Sequence, residues 1–346
     1  MLKKVIKLNS YNRLPEFDIA KGIAILCVIL GHLGNSTVNR VVFVFHMPIF
    51  FLISGYFLSQ SGTYKEFVAK KFKQCMVPYI ATCIAICVLS IPVSYILHQD
   101  IGQNLFKWIC GSIYGSGTRP GIIPGIPSFI GALWFLEALF WGSLIVRYVN
   151  DHYSCNVSKV MVVIIAYIGY ATAIKVWFPF NIQAGCTAAG FIYLGYLYKK
   201  ACGSIKTMSW PMLFFLTAIV AWCIKYFSGF WLVSNYFGNG FMDIIGACSA
   251  SYLIILVCKK VIIKSDIISN ILQWYGKNSL VVLAFHIIEL DLIPAAIIIQ
   301  KLKSLGFTSF VPMLILILLK ILWASLGIVL VNHTSFLKRI FFPNSR

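Results

Sequence analysis

The sequence predicts an all-α integral membrane protein, a bundle of about ten transmembrane helices with both termini in the cytoplasm. Of its 346 residues, 60% are hydrophobic and only 11% are charged, against about 25% charged residues in an ordinary soluble domain. Apolar runs long enough to cross a membrane recur along the whole chain. Loops rich in basic residues alternate along the chain with loops poor in them, as expected for loops on opposite sides of a membrane. Together these observations exclude a soluble enzyme.

Ten apolar segments form the predicted spans. In chain order they are 18–37, 41–60, 76–97, 128–149, 160–178, 184–198, 210–227, 240–258, 279–299 and 311–332. The first two are joined by a short connection and are therefore expected to be neighbours. The third follows a basic run, and the sixth is the shortest. Because these spans nearly exhaust the sequence, residues 1–346 are predicted to form a single membrane domain.

The formal net charge of +19 is explained by its distribution along the chain. With the N-terminus inside, twenty Lys and Arg residues fall in cytoplasmic segments and seven in external ones, as the positive-inside rule expects. The bias predicts an even number of spans and cytoplasmic termini. A lipid bilayer is thus the expected partner, and no nucleic acid is needed to explain the charge.

The longest segment outside the predicted spans is an external loop at about residues 98–127, rich in Gly and Pro. It is either a re-entrant or interfacial cap, which membranes tolerate where backbone lines a cavity, or an exposed loop. The basic N-terminal segment lacks a signal core with a cleavage site, so the first span is expected to be retained.

Eleven cysteines are scattered mainly through the apolar spans. They include no CxxC pair and no Cys/His cluster at the spacing of a zinc site. The cysteines are therefore interpreted as small buried hydrophobes, and no metal site is predicted.

Two ionisable residues of the first span lie on one face of the predicted helix. Lys21 and His32 are eleven residues apart, and eleven steps of about 100° return to within about 20° of the start. The helical rise separates them by about 16 Å along the axis. Charged groups at membrane depth usually pair or line a working cavity. Lys21 is predicted near the cytoplasmic surface and His32 toward the external end.

His32, His46 and Glu137 are predicted at one depth near the external side, and together they form the candidate catalytic centre. An imidazole titrates near neutral pH and can take a proton from an attacking hydroxyl. A neighbouring carboxylate can orient the ring and stabilise its charged form. Each residue also has a structural interpretation: a packing histidine, a helix cap and a satisfied buried acid. Three such groups at one depth favour a reaction centre.

On the cytoplasmic side, Lys21 suits an anion such as a cofactor phosphate. Asp18 precedes it by three residues and can neutralise it. Lys70 and Lys71 lie on the same side and can attract a polyphosphate, with a purely topogenic role as the alternative. These four residues are the predicted cofactor-binding group.

A second polar site, or a further lining of the same cavity, is predicted from two other spans. His286 and Glu289 share a face of the ninth span at i, i+3 within LAFHIIELDL. Ser54 and Tyr56, near the end of the second span, are assigned to the same lining.

Several sequence blocks resemble the membrane acyltransferase-3 family, and most closely its fucose 4-O-acetylase-like branch. The blocks are DIAKG at 18–22 followed by His32, FHMP at 45–48 with SGY at 54–56, KKFKQCMVPY at 70–79, WFL at 134–136, and YGKNSL at 275–280 with His286. The family pattern of a basic residue, ten positions and a histidine falls on Lys21 and His32. The family commonly has Arg at the first position, and Lys keeps the charge but loses the bidentate fork.

The resemblance implies a membrane-bound O-acyltransferase of the bacterial inner membrane. Such a protein would move an acetyl group from cytoplasmic acetyl-CoA, contacted by Lys21, to a sugar hydroxyl of a surface polysaccharide or its lipid-linked precursor. His32 would be the general base or a transient acyl carrier. Acetyl-CoA is then a donor substrate, and no permanently bound cofactor is expected. The alternative is a proton-coupled transporter or flippase of a polysaccharide, which also needs intramembrane ionisable residues, although the sequence has no inverted repeat.

Overall fold

The structure, a computed structural model, describes residues 14–203, 209–308 and 310–343. Within these ranges the chain is mostly helical. The α-helices are α1 Pro15–Gly31, α2 Ser36–Val42, α3 Pro48–Tyr56, α4 Tyr64–Lys71, α5 Val77–Ile96, α6 Ile101–Tyr114, α7 Trp134–His152, α8 Cys155–Ala173, α9 Ile182–Cys202, α10 Trp210–Lys225, α11 Phe241–Lys260, α12 Asp266–Lys277, α13 Ser279–Leu292, α14 Ala295–Ser304, α15 Phe310–His333 and α16 Ser335–Phe341. The basic residues of the N-terminal segment, Lys206 and Arg346, used in the topology prediction, lie outside the described residues.

Within the described residues, five helices are long and apolar enough to cross a membrane. They are Tyr64–Ile96, which includes α4 and α5; Gly131–His152, which includes α7; Cys155–Ala173, which is α8; Phe241–Lys264, which includes α11; and Val311–His333, which lies within α15. The bent pair α13–α14 makes six if it counts as one span. These helices fit the predicted helical membrane protein with several passes. The number of ten spans and the cytoplasmic position of the termini stay predictions.

Two predicted spans are not continuous helices. The segment 41–60 divides into α2, a series of turns and the nine-residue α3, because Pro48 has no N–H with which to continue the hydrogen-bond ladder. The segment 279–299 bends by 66° between α13 and α14. Ile293 there is extended, since a residue before proline is driven out of the helical region.

Other boundaries also differ from the predictions. The first helix ends at Gly31 rather than at residue 37, whereas the sixth predicted span is longer than expected, with 21 residues in α9. Within the predicted loop 98–127 the structure places helix α6. A short antiparallel ribbon, β1 Phe230–Trp231 with β2 Tyr236–Phe237, lies between α10 and α11 and was not predicted.

Glycines allow two pairs of helices to approach closely. A Cβ at Gly195 of α9 would overlap the backbone carbonyl of Leu52 in α3, and one at Gly55 of α3 would overlap the carbonyl of Ile192. The same relation joins α1 and α12, where a Cβ at Gly22 would overlap the carbonyl of Leu272. Small residues at such contacts are how membrane helices reach van der Waals packing. The contacts hold α1 and α3 in place, and with them Lys21 in α1, Ser54 in α3, and the histidines that follow α1 and precede α3.

Replacing Gly195 with Ala is expected to lower the thermal stability of the protein. The added methyl group must displace backbone of α3, and overpacking of this kind costs about 1–3 kcal/mol. Gly190→Ala is the matched control in the same helix, because a Cβ there lies at an ordinary 3.7 Å from Ala166. Thermal unfolding of the two purified variants in detergent measures the difference. Equal melting temperatures would contradict the close packing of α3 on α9.

Candidate active site

A cavity of about 470 Å³ contains both predicted catalytic histidines. We call it the histidine cavity. Its lining includes His32, His46, Thr118, Trp134, Trp231 and Leu283. These residues come from α1, the turn before α3, the segment after α6, α7, the β-ribbon and α13. The cavity is therefore assembled from elements far apart in the chain.

His32 and His46 are held by the same local geometry. Nδ1 of His32 lies 2.8 Å from the carbonyl oxygen of Val28, and Nδ1 of His46 lies 2.7 Å from that of Val42. A carbonyl only accepts, so in each ring Nδ1 carries the proton and donates it. Among the described residues, neither Nε2 has a hydrogen-bond partner. Each neutral ring thus has an unprotonated Nε2, the form required of a base or a nucleophile.

A chain of three further ionisable groups lies behind His32. Nε2 of His286 is 3.3 Å from Nδ1 of His32. The single proton of that Nδ1 is donated mainly to Val28 at 2.8 Å, and His286 accepts it as the weaker arm of a bifurcated hydrogen bond. Nδ1 of His286 is then protonated and lies 3.4 Å from Oε2 of Glu289, an electrostatic contact in which neither atom has a hydrogen-bond partner within the described residues. The other oxygen of Glu289 accepts from Lys320 at 2.5 Å. All three of these groups are almost fully buried: His286 is 1% exposed, Glu289 6% and Lys320 3%.

This series of ionisable groups can stabilise positive charge on His32. The negative charge of Glu289 favours the tautomer of His286 with its proton on Nδ1, and Nε2 then presents a lone pair to the N–H of His32. Lys320 offsets the carboxylate, since a buried charge without a partner is strongly unfavourable. His286 and Glu289, predicted as a second polar site, therefore lie in one cluster with His32.

Glu137 lies outside the histidine cavity. It is fully buried, and Asn181 donates to its Oε2 at 2.5 Å and to the carbonyl of Gly115. The acid thus connects α7 with the turn after α6 and the start of α9. The predicted centre of His32, His46 and Glu137 is not assembled as one group, because equal depth along the membrane normal does not determine the direction in which a helix presents its side chain.

A second cavity, of about 340 Å³, collects the predicted cofactor-binding lysines. We call it the lysine cavity. Its lining includes Lys21, Lys70, Lys71, Gln74, Ser54 and Ser279. Asp18 forms the predicted ion pair with Lys21, with 2.7 Å between Oδ1 and Nζ. Three cations and several hydroxyl or amide groups thus converge on one space.

Ser54 and Tyr56 do not join His286 and Glu289. Ser54 lines the lysine cavity instead. Tyr56 is buried, and its hydroxyl donates to the carbonyl of Gly203 at 2.9 Å. The four residues of the predicted second polar site therefore lie in three places. Ser54 and Tyr56 are separated from the other two because they lie at the opposite end of α3 from His46.

The two cavities meet at a common wall. Val28, Met47 and Leu283 line both of them. Val28 is seven residues after Lys21 and four before His32, so the three residues form one stripe along α1. This stripe agrees with the spacing of Lys21 and His32. The wall shared by the two cavities is therefore apolar.

Lys320 is not among the residues predicted from the sequence. It is the one cation within the apolar run of α15, and a lone intramembrane lysine is a signal that a partner lies nearby. The partner itself could not be identified from spacing, because Glu289 is in a different helix. Spacing also gave no indication that His286 contacts His32.

Comparisons with known proteins identify the family of the chain. The family profile described as "Acyltransferase domain" matches residues 14–331. Two similar curated proteins are both named Nodulation protein NolL. The one from Sinorhizobium fredii is 25% identical over 154 residues, covering 40% of this chain and 37% of that protein. The one from Mesorhizobium japonicum is 28% identical over 154 residues, covering 40% and 36%.

The matched region spans well under half the length of these relatives. No solved structure matches the chain. The family match, in contrast, extends over nearly the whole described chain. The fucose 4-O-acetylase-like branch stays a prediction, because the profile describes the family as a whole. The profile match and the sequence blocks around Lys21 and His32 agree, and the chain belongs to the acyltransferase-3 family.

Proposed function

We propose that the protein is a membrane-bound O-acyltransferase that moves an acetyl group from cytoplasmic acetyl-CoA to a sugar hydroxyl. The acceptor is a surface polysaccharide or its lipid-linked precursor, and the location is the bacterial inner membrane. One observation carries the proposal: a cavity with three lysines and a cavity with two histidines share a wall. Such an arrangement suits a donor with an anionic end and a reactive end.

The lysine cavity suits the phosphates of the donor. Lys21, Lys70 and Lys71 supply three positive charges, and lysine is a common phosphate contact. Its volume of about 340 Å³ falls within the usual range of small-molecule pockets, about 300–1,000 Å³. The thioester end of the donor then points toward Val28, Met47 and Leu283 and the histidines beyond them.

His32 performs the chemistry in one of two ways. As a general base, its Nε2 takes the proton of the sugar hydroxyl while the oxygen attacks the thioester carbonyl; the C–S bond breaks, and the proton passes to the thiolate. As an acyl carrier, Nε2 itself attacks the carbonyl and the C–S bond breaks to release the thiolate; the sugar oxygen later displaces the imidazole, and its proton goes to the thiolate. Both routes place positive charge on His32, opposite the acceptor nitrogen of His286.

Transfer of label from donor to glycan tests the proposal. Membranes that contain the protein receive acetyl-CoA labelled in its acetyl group, and the glycan fraction is analysed by mass spectrometry. We expect labelled O-acetyl ester in the glycan and none in membranes without the protein. Glycan that crosses the membrane without acquiring label would support the alternative, a proton-coupled transporter or flippase.

Replacing Lys21 with Gln is expected to raise the KM for acetyl-CoA about tenfold and to leave kcat nearly unchanged. A hydrogen bond to a charged group contributes about 1.5–3 kcal/mol, and Lys21→Arg keeps the charge and most of the affinity. Lys277→Gln is the control, because Lys277 is exposed and outside the lysine cavity. Initial rates at varied acetyl-CoA concentration measure the effect. Equal KM values for the Lys21 and Lys277 variants would remove Lys21 from the donor site.

A further inference from the structure

The β-ribbon forms one wall of the histidine cavity. Phe230 and Trp231 of β1, followed by the turn Leu232–Ser234, all line the cavity that contains His32 and His46. A Cβ at Gly117, in the segment after α6, would overlap the side chain of Val233. The ribbon and that segment therefore pack against each other at the cavity.

The ribbon is fixed to the helices beneath it. Asn235 is 3% exposed and adopts a left-handed conformation with φ of 51°. Its Nδ2 donates to the carbonyls of Gly169 in α8, at 3.1 Å, and Gln183 in α9, at 3.0 Å. Phe230 and Leu232 are buried on the inner side. A two-stranded ribbon is marginal by itself, so these anchors give it a fixed position relative to the histidines.

An open pair of aromatic rings lies on this anchored ribbon. Trp231 and Tyr236 stack across the two strands with ring centroids 5.3 Å apart and an angle of 26°. Their exposed fractions are 42% and 43%, although their strand neighbour Phe230 is buried. Gly229 makes room for the pair, because a Cβ there would lie 2.9 Å from the Tyr236 ring and 3.0 Å from the Trp231 ring.

The chemistry of the cavity selects the ligand. No Lys, Arg, Asp or Glu is among the residues that line it in the described part of the chain, so nothing there offsets the charge of an anionic acceptor. Aromatic faces carry negative charge density, which attracts the C–H bonds on the face of a sugar ring. Thr118 and Ser234, which also line the cavity, supply hydroxyl groups for the polar rim of such a ring.

We propose that Trp231, supported by Tyr236, is the acceptor platform of the histidine cavity and that it binds an uncharged pyranose ring. This inference rests on the proposed transferase function and names the class of its acceptor. Stacking on Trp231 would hold the ring beside the unprotonated Nε2 atoms of His32 and His46. The acceptor hydroxyl and the catalytic base then share one cavity.

Kinetics of the full-length protein in membranes test the platform. The probes are labelled acetyl-CoA and the lipid-linked glycan fraction extracted from a host strain that lacks the protein. Trp231→Ala is expected to raise the KM for the glycan about two- to tenfold, the range of a lost aromatic contact, with the KM for acetyl-CoA unchanged. Trp231→Phe keeps a ring and is expected to remain close to the wild type.

Trp222→Ala is the matched control. Trp222 is 40% exposed and lies 5.4 Å from the ring of Tyr226, yet it lines neither cavity. Equal glycan KM values for the Trp231 and Trp222 variants would overturn the proposal and make the ribbon an aromatic anchor in the membrane interface. An unchanged KM for acetyl-CoA shows that the Trp231 variant is folded.

The identity of the acetylated sugar is a second readout. Mass spectrometry of the product is expected to place the label on an uncharged sugar, and label on an acidic sugar would overturn the proposal. If wild-type membranes transfer no label at all, the transferase function itself fails and the platform fails with it. Transfer that persists without dependence on Trp231 contradicts the platform alone.

Discussion

Replacing His32 with Ala is expected to abolish acetyl transfer, with a fall in rate of about 10²–10⁴, the contribution of a positioned acid–base group. The variant loses the unprotonated Nε2 that His286, Glu289 and Lys320 support. Nε2 of His46 is also unprotonated, but within the described residues that ring makes a hydrogen bond only to the carbonyl of Val42. The KM for acetyl-CoA is expected to stay near the wild-type value, because the donor lysines line the other cavity. Label transfer from acetyl-CoA to glycan in membranes measures the effect.

His333→Ala is the control for this experiment. His333 makes the same local contact as His32, with Nδ1 2.9 Å from the carbonyl of Val329 four residues earlier, but it is exposed and lines neither cavity. Its variant should transfer acetyl groups at the wild-type rate. Retained glycan acetylation in the His32 variant, with both proteins inserted at equal amounts, would remove His32 from the reaction.

Replacing Glu289 with Gln is expected to lower kcat about 100-fold and to leave the KM values nearly unchanged. The negative charge of the carboxylate favours the His286 tautomer whose Nε2 accepts from His32, so its loss weakens the support for positive charge on His32. It also leaves the charge of Lys320 buried without a partner, which costs about 3–5 kcal/mol of stability. A fall in activity therefore has to be separated from a loss of folded protein.

The double variant Glu289→Gln, Lys320→Met separates the two effects. It removes both charges of the buried pair, and replacing a whole buried pair is far less destabilising than removing one partner. We expect its melting temperature to return toward that of the wild type while kcat stays low. A double variant with wild-type kcat would show that Glu289 and Lys320 act only in folding.

The positions of these residues explain why the centre is built from several helices. His32 is the residue that follows α1, and its partner His286 lies in α13. Lys320 comes from α15 and completes the series His32, His286 and Glu289 through its ion pair with Glu289. A general base in an apolar bundle needs help to carry charge, because burial without partners disfavours ionisation. The helices supply that help before substrate arrives.

Much of the candidate site follows from local spacing. Lys21 and His32 share one stripe of α1 with Val28, as their separation predicts, and Asp18 pairs with Lys21 at i, i+3. The grouping of Lys21 with Lys70 and Lys71 in one cavity also agrees with the prediction from charge and topology. Within one helix, direction and height follow from periodicity alone.

Contacts between helices did not follow from spacing. Glu137 was placed with His32 and His46 because of equal depth, yet it bonds to Asn181 instead. His286 was assigned to a separate site, although it lies against His32 from a position 254 residues away. Depth gives one coordinate of a side chain, and the rotation of each helix about its axis gives another that only packing determines.

The sequence alone determined the class of this protein, the stripe of Lys21 and His32, and the family to which the chain belongs. Those properties depend on composition and on residues close together in the chain. The tertiary structure decided that His286, Glu289 and Lys320 stand behind His32, that Glu137 lies elsewhere, and that a ribbon with Trp231 lines the histidine cavity. Each of these depends on how distant segments pack, and packing is a property of the whole bundle rather than of any one segment.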